Sequence, residues 1–153
     1  MATGKLLYLD DLTAGQRFTS AKLTVSAQAI REFAAQYDPQ PFHTDEEAAR
    51  HSFFQGLAAS GWHTAALTMR LVVDSLPIGG GLVGAGTELS WPQATRPGDE
   101  LQVVSTVLAV APSKSKPDRG IVTLQSDTFN QRGELCQRCT SKIVVFRKKS
   151  ADN

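Results

Sequence analysis

Several features that announce a function are scarce here, and each scarcity closes a door. Cysteine occurs only twice, within Cys136-Gln137-Arg138-Cys139. The flanking residues, Leu135 to Phe146, read as a strand, where an i,i+3 spacing sends two side chains to opposite faces. Zinc would need two further ligands from elsewhere, so neither a metal site nor a redox dithiol is expected. Charge is nearly balanced, 16 Lys and Arg against 15 Asp and Glu, which leaves no footprint for nucleic acid or an anionic membrane surface. The longest apolar candidate, Ala65 to Val73, falls far short of the ~20 residues that cross a bilayer. Met1 to Asp11 lacks a basic stretch followed by an apolar one, so no secretory signal is expected and the cytoplasm is the default location. Gly79-Gly80-Gly81 and Gly84-Ala85-Gly86 lack the Lys-Ser/Thr of a phosphate loop, and they read as turn and strand glycines.

What is present is an ordinary globular composition, 41% apolar over 153 residues. That is enough for one domain with a sizeable core and too little for two. The domain is expected over 1–153, with its core from about residue 9 to 146 and a polar, frayed end over 147–153. Phe18 to Val25 reads as a strand, and Ser26 is a good N-cap. Ile30, Phe33, Ala34 and Tyr37 follow at helical spacing, and Asp38-Pro39 ends that helix. Thr44-Asp45-Glu46-Glu47 has the form of a capping box, with Thr44 as N-cap and Glu47 at N3, opening a short helix to about Arg50.

After Ser60-Gly61, the segment from Trp62 to Val73 carries apolar residues on nearly every side, the pattern of a buried helix. Pro77 and the glycines after it end this helix. Val83 to Trp91 then alternates with a period of two. A turn at Arg96-Pro97-Gly98-Asp99 leads to strands over Leu101 to Val110, Ile121 to Phe129 and Leu135 to Phe146. Lys114 to Gly120 is a polar loop whose cations, Lys114, Lys116 and Arg119, read as solvated side chains. One buried helix followed by antiparallel strands predicts an α+β layer architecture, with the sheet packed around that helix.

The chemistry concentrates in Tyr37-Asp38-Pro39-Gln40-Pro41-Phe42-His43. A carboxylate, an amide and an imidazole lie within six residues, and the two prolines restrict the backbone around Gln40. Fully extended, Asp38 and His43 would stand roughly 16 Å apart, so joint action on one atom requires a turn. A neutral His43 could take a proton from water while a protonated Asp38 supplies one, or the roles could be exchanged. In isolation the same string also reads as a polar loop, with Asp38 ending a helix and His43 beside a cap.

Asp38-x-Gln40-Pro41-Phe42-His43, followed by a short helix and a Gly-led buried helix, resembles the D-x-N-P-x-H signature of MaoC-like (R)-specific enoyl-CoA hydratases. The resemblance runs from about Leu9 to Phe146 and includes the Arg96 to Asp99 turn. It implies a hotdog fold, an antiparallel sheet wrapped around a long central helix. It also implies hydration of an enoyl thioester to an (R)-3-hydroxyacyl product, or the reverse dehydration. Asp38 and His43 would be the acid/base pair, and Gly61 would donate its backbone N–H to the thioester carbonyl. A free N–H at a helix start suits an oxygen that gains negative charge.

This sequence departs from the pattern in two places. Gln40 stands where the signature has Asn, which suits it to orienting water or the loop rather than to catalysis. Met69 stands where some hydratases carry a supporting hydroxyl. Trp62, His63 and Met69 are the candidate pocket residues, although a core Trp and a packed His are the plainer readings of the first two. His51 reads as a surface residue, and Ser60 lacks the flanking pattern of a nucleophile elbow. The family implies no cofactor beyond the coenzyme A of the substrate, an acyl-CoA or acyl-carrier-protein thioester as partner, and a homodimer or higher homo-oligomer. A hotdog thioesterase and a non-catalytic acyl-CoA-binding protein are the alternatives. The helix from Trp62 to Val73 lacks the acidic residue that such thioesterases commonly use, and retention of both Asp38 and His43 speaks against loss of catalysis.

Overall fold

The computed structural model describes residues 4–149. Strand β1 (Arg17–Thr24) leads into helix α1 (Ala27–Tyr37), two short helices α2 (Pro41–Thr44) and α3 (Glu46–Arg50), and the long helix α4 (Gly61–Ser75). Strands β2 (Val83–Ser90), β3 (Glu100–Pro112), β4 (Arg119–Phe129) and β5 (Leu135–Phe146) complete the chain. The five strands form one antiparallel sheet in the order β1-β3-β4-β5-β2. Buried and half-buried residues alternate along β4 and the first part of β3, as a sheet covered mainly on one face requires. The cover is α4, which packs against β1, β3, β4 and β5. This is the hotdog architecture.

The buried side of α4 is more polar than an apolar-all-round reading implies. It consists of His63, Thr64, Thr68, Leu71 and Val72, and two of these meet hydroxyls. Thr64 donates to Thr95 at 2.9 Å, Thr68 and Thr128 share a bond at 2.6 Å, and Ser105 and Ser126 pair across neighbouring strands at 2.8 Å. An unpaired buried hydroxyl would cost about 1–3 kcal/mol, so the pairing is what admits hydroxyls to this core. The expectation of a fully buried helix fails for a related reason. Only one side of α4 meets the sheet, and Trp62, Met69 and Val73 on the outer side are 61%, 47% and 50% exposed. Strand β2, whose residues alternate with a period of two, is exposed along nearly all its length, because it lies at the edge of the sheet beyond the main cover of α4.

Two local expectations are corrected. The cap of α3 is Asp45, whose Oδ1 accepts from the amides of Glu47 and Ala48. Thr44 instead closes α2 and donates to the Gln40 carbonyl. The acceptor one residue later wins because Pro41, in the first turn of α2, draws Thr44 into that helix. Of the polar end expected over 147–153, residues 150–153 lie outside the described residues. Arg147 is not frayed. Its amide donates to the Asp118 carbonyl at 2.8 Å, and its guanidinium reaches the Pro117 carbonyl and Asp10.

The Arg96 to Asp99 turn forms as expected, with Gly98 at φ +84°, a left-handed conformation that suits glycine. The buried Asp99 carboxylate accepts from the Arg96 amide at 2.8 Å and from Gln131 at 3.0 Å. Val25 and the turn exchange backbone bonds, Gly98 N–H to Val25 O and Val25 N–H to Asp99 O. The turn is thereby docked at the start of α1. Lys114, Lys116 and Arg119 lie at the other end of β3, a strand of 13 residues and so roughly 40 Å long. Arg119 is engaged there with Asp118 and the Phe146 ring. No helix among the described residues is long and apolar enough to cross a membrane.

Candidate active site

The site is assembled where α1 stops and α4 starts. Asp38 is the C-cap of α1, with its amide bonded to the Ala34 carbonyl at 2.8 Å. Pro41 sits in the first turn of α2, so the chain reverses within a few residues and carries His43 back toward Asp38. The turn demanded by the sequence exists: His43 Nε2 lies 3.4 Å from Asp38 Oδ2. Both side chains are largely shielded from water, His43 more than Asp38.

The other imidazole nitrogen is anchored to the main chain. His43 Nδ1 lies 2.6 Å from the Ala58 carbonyl, and a carbonyl can only accept, so Nδ1 carries the hydrogen. In the neutral ring Nε2 is therefore the basic nitrogen, and it faces Asp38. The Ala58 amide donates back to the Phe42 carbonyl at 3.1 Å, so α2 and the segment before α4 are stapled in both directions. Arg96 secures that segment from outside. Its guanidinium donates to the carbonyls of Phe54 at 2.6 Å, Gly56 at 2.9 Å and Leu57 at 3.3 Å.

Asp38 is held by two donors. Gln40 Nε2 donates to Oδ1 at 2.6 Å, and Ser60 Oγ donates to Oδ2 at 2.7 Å. Burial works to raise the carboxyl pKa, but the bonds from Gln40 and Ser60, together with His43, outweigh it and hold the pKa below the ordinary carboxylate value. Asp38 is therefore ionised near neutral pH, and the reading in which it starts as a protonated acid loses its physical basis. Gln40 is placed to orient the carboxylate, consistent with the non-catalytic role expected from its longer reach.

Ser60 lacks the setting of a nucleophile and instead links the start of α4 to Asp38. It is fully buried and caps α4 by accepting from the Trp62 amide at 3.2 Å while donating to Asp38. One signal was available in the chain, a Ser directly before a Gly-led helix, which marks an N-cap. Its contact with a residue 22 positions earlier leaves no local trace. Next to it, the Gly61 N–H has no partner among the described residues, as the first amide of a helix ordinarily lacks one. A Cβ at Gly61 would fall 2.7 Å from the Trp91 ring, so only glycine fits beneath that indole.

His43, Gly61, Thr64, Trp91 and the aromatic pair Phe53 and Phe54 line one pocket of about 280 Å³. The three proposed pocket residues are divided. Met69 lines a second, larger cavity, whereas Trp62 and His63 line neither. Trp62 lies on the exposed side of α4, and His63 stacks on Phe33 at a ring separation of 4.6 Å. Burial lowers the His63 pKa, and its Nδ1 has no partner among the described residues, so it packs as a neutral ring. His51 is exposed and pairs with Glu47 at 3.3 Å. Cys136 and Cys139 are free thiols, and burial pushes the Cys136 thiol up, as for an inert cysteine. Among the described residues no group of three or more His, Cys, Asp or Glu side chains is placed to hold a metal.

A long helix on an antiparallel sheet, with an Asp–His pair at the helix start, defines a class of hotdog proteins rather than one protein. The chain belongs to the MaoC-like domain family, whose model matches residues 11–129. A crystal structure of a MaoC-like dehydratase from Rhodospirillum rubrum is 68% identical to it, with a TM-score of 0.93, covering 94% of this chain and 99% of that one. An (R)-hydratase from A. caviae involved in PHA biosynthesis is 30% identical, with a TM-score of 0.69, over 90% of this chain and 98% of that one. The uncharacterised protein YdeM of Bacillus subtilis is 36% identical over 127 residues, 81% of this chain and 88% of YdeM.

Proposed function

We propose that this protein is an (R)-specific enoyl-thioester hydratase, or the corresponding 3-hydroxyacyl-thioester dehydratase, working through Asp38 and His43. The observation that carries the reading is the anchored imidazole. His43 gives its Nδ1 hydrogen to Ala58 and presents Nε2 as a base 3.4 Å from an ionised Asp38. The unpartnered Gly61 N–H, on the same pocket wall, supplies the oxyanion donor.

In the hydration direction, Asp38 and Nε2 hold one water. Nε2 takes a proton from it as the oxygen bonds to the β-carbon. The π-electron pair moves through the α-carbon to the thioester oxygen, where Gly61 receives the charge. Asp38 stabilises the imidazolium meanwhile. The oxygen lone pair then re-forms the carbonyl, and the α-carbon takes the proton back from the pair. Water's hydroxyl and hydrogen are both accounted for, and coenzyme A or a carrier protein enters only as part of the substrate. The same reading takes the protein as a homodimer or higher homo-oligomer, because an isolated chain leaves the β2 edge and the outer side of α4 uncovered. The thioesterase alternative gains no support. Asp74, the one carboxylate of α4, lies near that helix's far end and pairs with Arg70 at 3.0 Å.

Loss of enone-thioester absorbance with crotonyl-CoA tests the proposal in wild type, Asp38→Asn and His43→Gln. Each substitution is expected to lower kcat by about a hundredfold to ten-thousandfold, the range of general acid–base catalysis. Activity that survives both would remove the mechanism, and release of free thiol without hydration would favour the thioesterase.

A further inference from the structure

Two cavities lie along one side of α4, and a single indole stands where they meet. Gly61 and Thr64 line the catalytic pocket. Ala65, Thr68, Met69 and Val72 continue the same stripe at i,i+3 and i,i+4 spacing and line the second cavity, a groove of about 400 Å³ between α4 and strands β2 and β5 that opens to solvent along the exposed β2 edge. No residue lines both. The chain around the end of β2 crosses the boundary as well, with Leu89 on the larger cavity and Trp91 on the catalytic pocket.

Trp91 is held at this boundary from three directions. Its ring covers Gly61 so closely that no Cβ fits between them. It meets Trp62 edge-on at 5.5 Å. Its indole N–H donates to Gln137 Oε1 at 2.9 Å. Gln137 is 1% exposed and lines the larger cavity, not the catalytic pocket. The hydrogen bond therefore joins the wall of one chamber to the wall of the other. A leucine would fill the Gln137 position without a polar atom to satisfy, so the buried amide is explained by the indole it holds.

An acyl chain with its carbonyl on Gly61 and its β-carbon at His43 would reach the larger cavity along the α4 stripe, past Trp91. We propose that Trp91, locked by Gln137, sets the chain length: the substrates are short acyl thioesters, and the larger groove is chain volume that the indole separates from the catalytic pocket. This rests on the enoyl-thioester reading above and deepens it.

The test compares kcat/KM for octenoyl-CoA and crotonyl-CoA within each of three proteins: wild type, Trp91→Ala and Gln137→Leu. A ratio taken within one protein cancels any loss of folded material. Each methylene admitted to an apolar cavity is worth about fourfold, so the four extra ones allow a gain of up to ~200-fold. Wild type is expected to favour crotonyl-CoA by at least about tenfold, the cost of forcing extra methylenes against a locked ring in a filled pocket. Trp91→Ala should raise the octenoyl-to-crotonyl ratio by at least about tenfold, and Gln137→Leu by less, since the ring is untethered but present. Wild type that hydrates both chains equally, or a ratio unmoved in Trp91→Ala, overturns the proposal. Calorimetric binding of butyryl-CoA and octanoyl-CoA reads the same boundary without turnover. If wild type hydrates no enoyl-CoA, the reaction assignment fails. Trp91 is then judged on binding alone, by whether octanoyl-CoA gains over butyryl-CoA only in Trp91→Ala.

Discussion

Replacing Ser60 by alanine removes one hydroxyl that serves two partners, and the two effects can be separated by pH. The bond to the ionised Asp38 is charge-assisted and worth about 1.5–3 kcal/mol. The cap on the Trp62 amide is worth about 0.5–2 kcal/mol. Ser60 is fully buried, so water cannot replace the lost bond. The expected destabilisation at neutral pH is about 2–4 kcal/mol, a fall in Tm of roughly 5–12 °C for a domain of this size. Asp38 has a folded pKa below its unfolded value. Its contribution is therefore fully present above the unfolded value and is lost as pH falls through the folded one. The gap between wild type and Ser60→Ala in urea unfolding should be widest near neutral pH and should narrow as pH falls below the ordinary carboxylate range and through the lower folded pKa of Asp38. What remains at low pH is the cap. Ser60→Gly gives a second measure, because glycine costs a cap only a few tenths of a kcal/mol. A gap of equal size at both pH values would refute the reasoning, since it would mean the hydroxyl stabilises α4 alone.

Two further outcomes are expected. Gly61→Ala places a methyl 2.7 Å from the Trp91 ring, so kcat should fall and tryptophan emission should shift as the indole is displaced; full activity with unchanged emission would sink the close-contact argument. Arg96→Met deletes three carbonyl contacts on residues 54–57, worth roughly 2–3 kcal/mol together. Amide exchange over residues 52–59 should quicken and kcat should drop, with partial recovery on adding guanidinium; unchanged exchange would show that the segment is held by other means.

The sheet was largely legible because its signals are local. Val122, Leu124, Ser126 and Thr128 alternate inward along β4, and the Arg96 to Asp99 turn follows from glycine and proline preferences. The Asp38–His43 meeting could be argued from two prolines and a helix end. The face of α4 could not, because threonine enters a core only when another hydroxyl is opposite, and Thr95 and Thr128 are 31 and 60 positions away. The same holds for Ser60 on Asp38, for Arg96 on the Phe54 to Leu57 carbonyls, and for Trp91 over Gly61. Each is a pairing across the fold whose partners carry no mark of one another in the chain. Thr44 against Asp45 as the cap was lost to a smaller cause, a proline that begins a helix one turn early.

The carbonyl of Ala58, which fixes the His43 hydrogen, belongs to the main chain. Every residue that position 58 could encode carries the same acceptor, so a survey of side-chain substitutions would score the position by packing and never register the imidazole. The same blindness covers the Gly61 amide, where only proline removes the hydrogen. Inheritance can therefore vary the letters at 58 without retuning His43, provided the segment keeps its path. Directed replacement of the backbone itself, such as an ester or thioamide at that linkage, is the kind of change that would reach it.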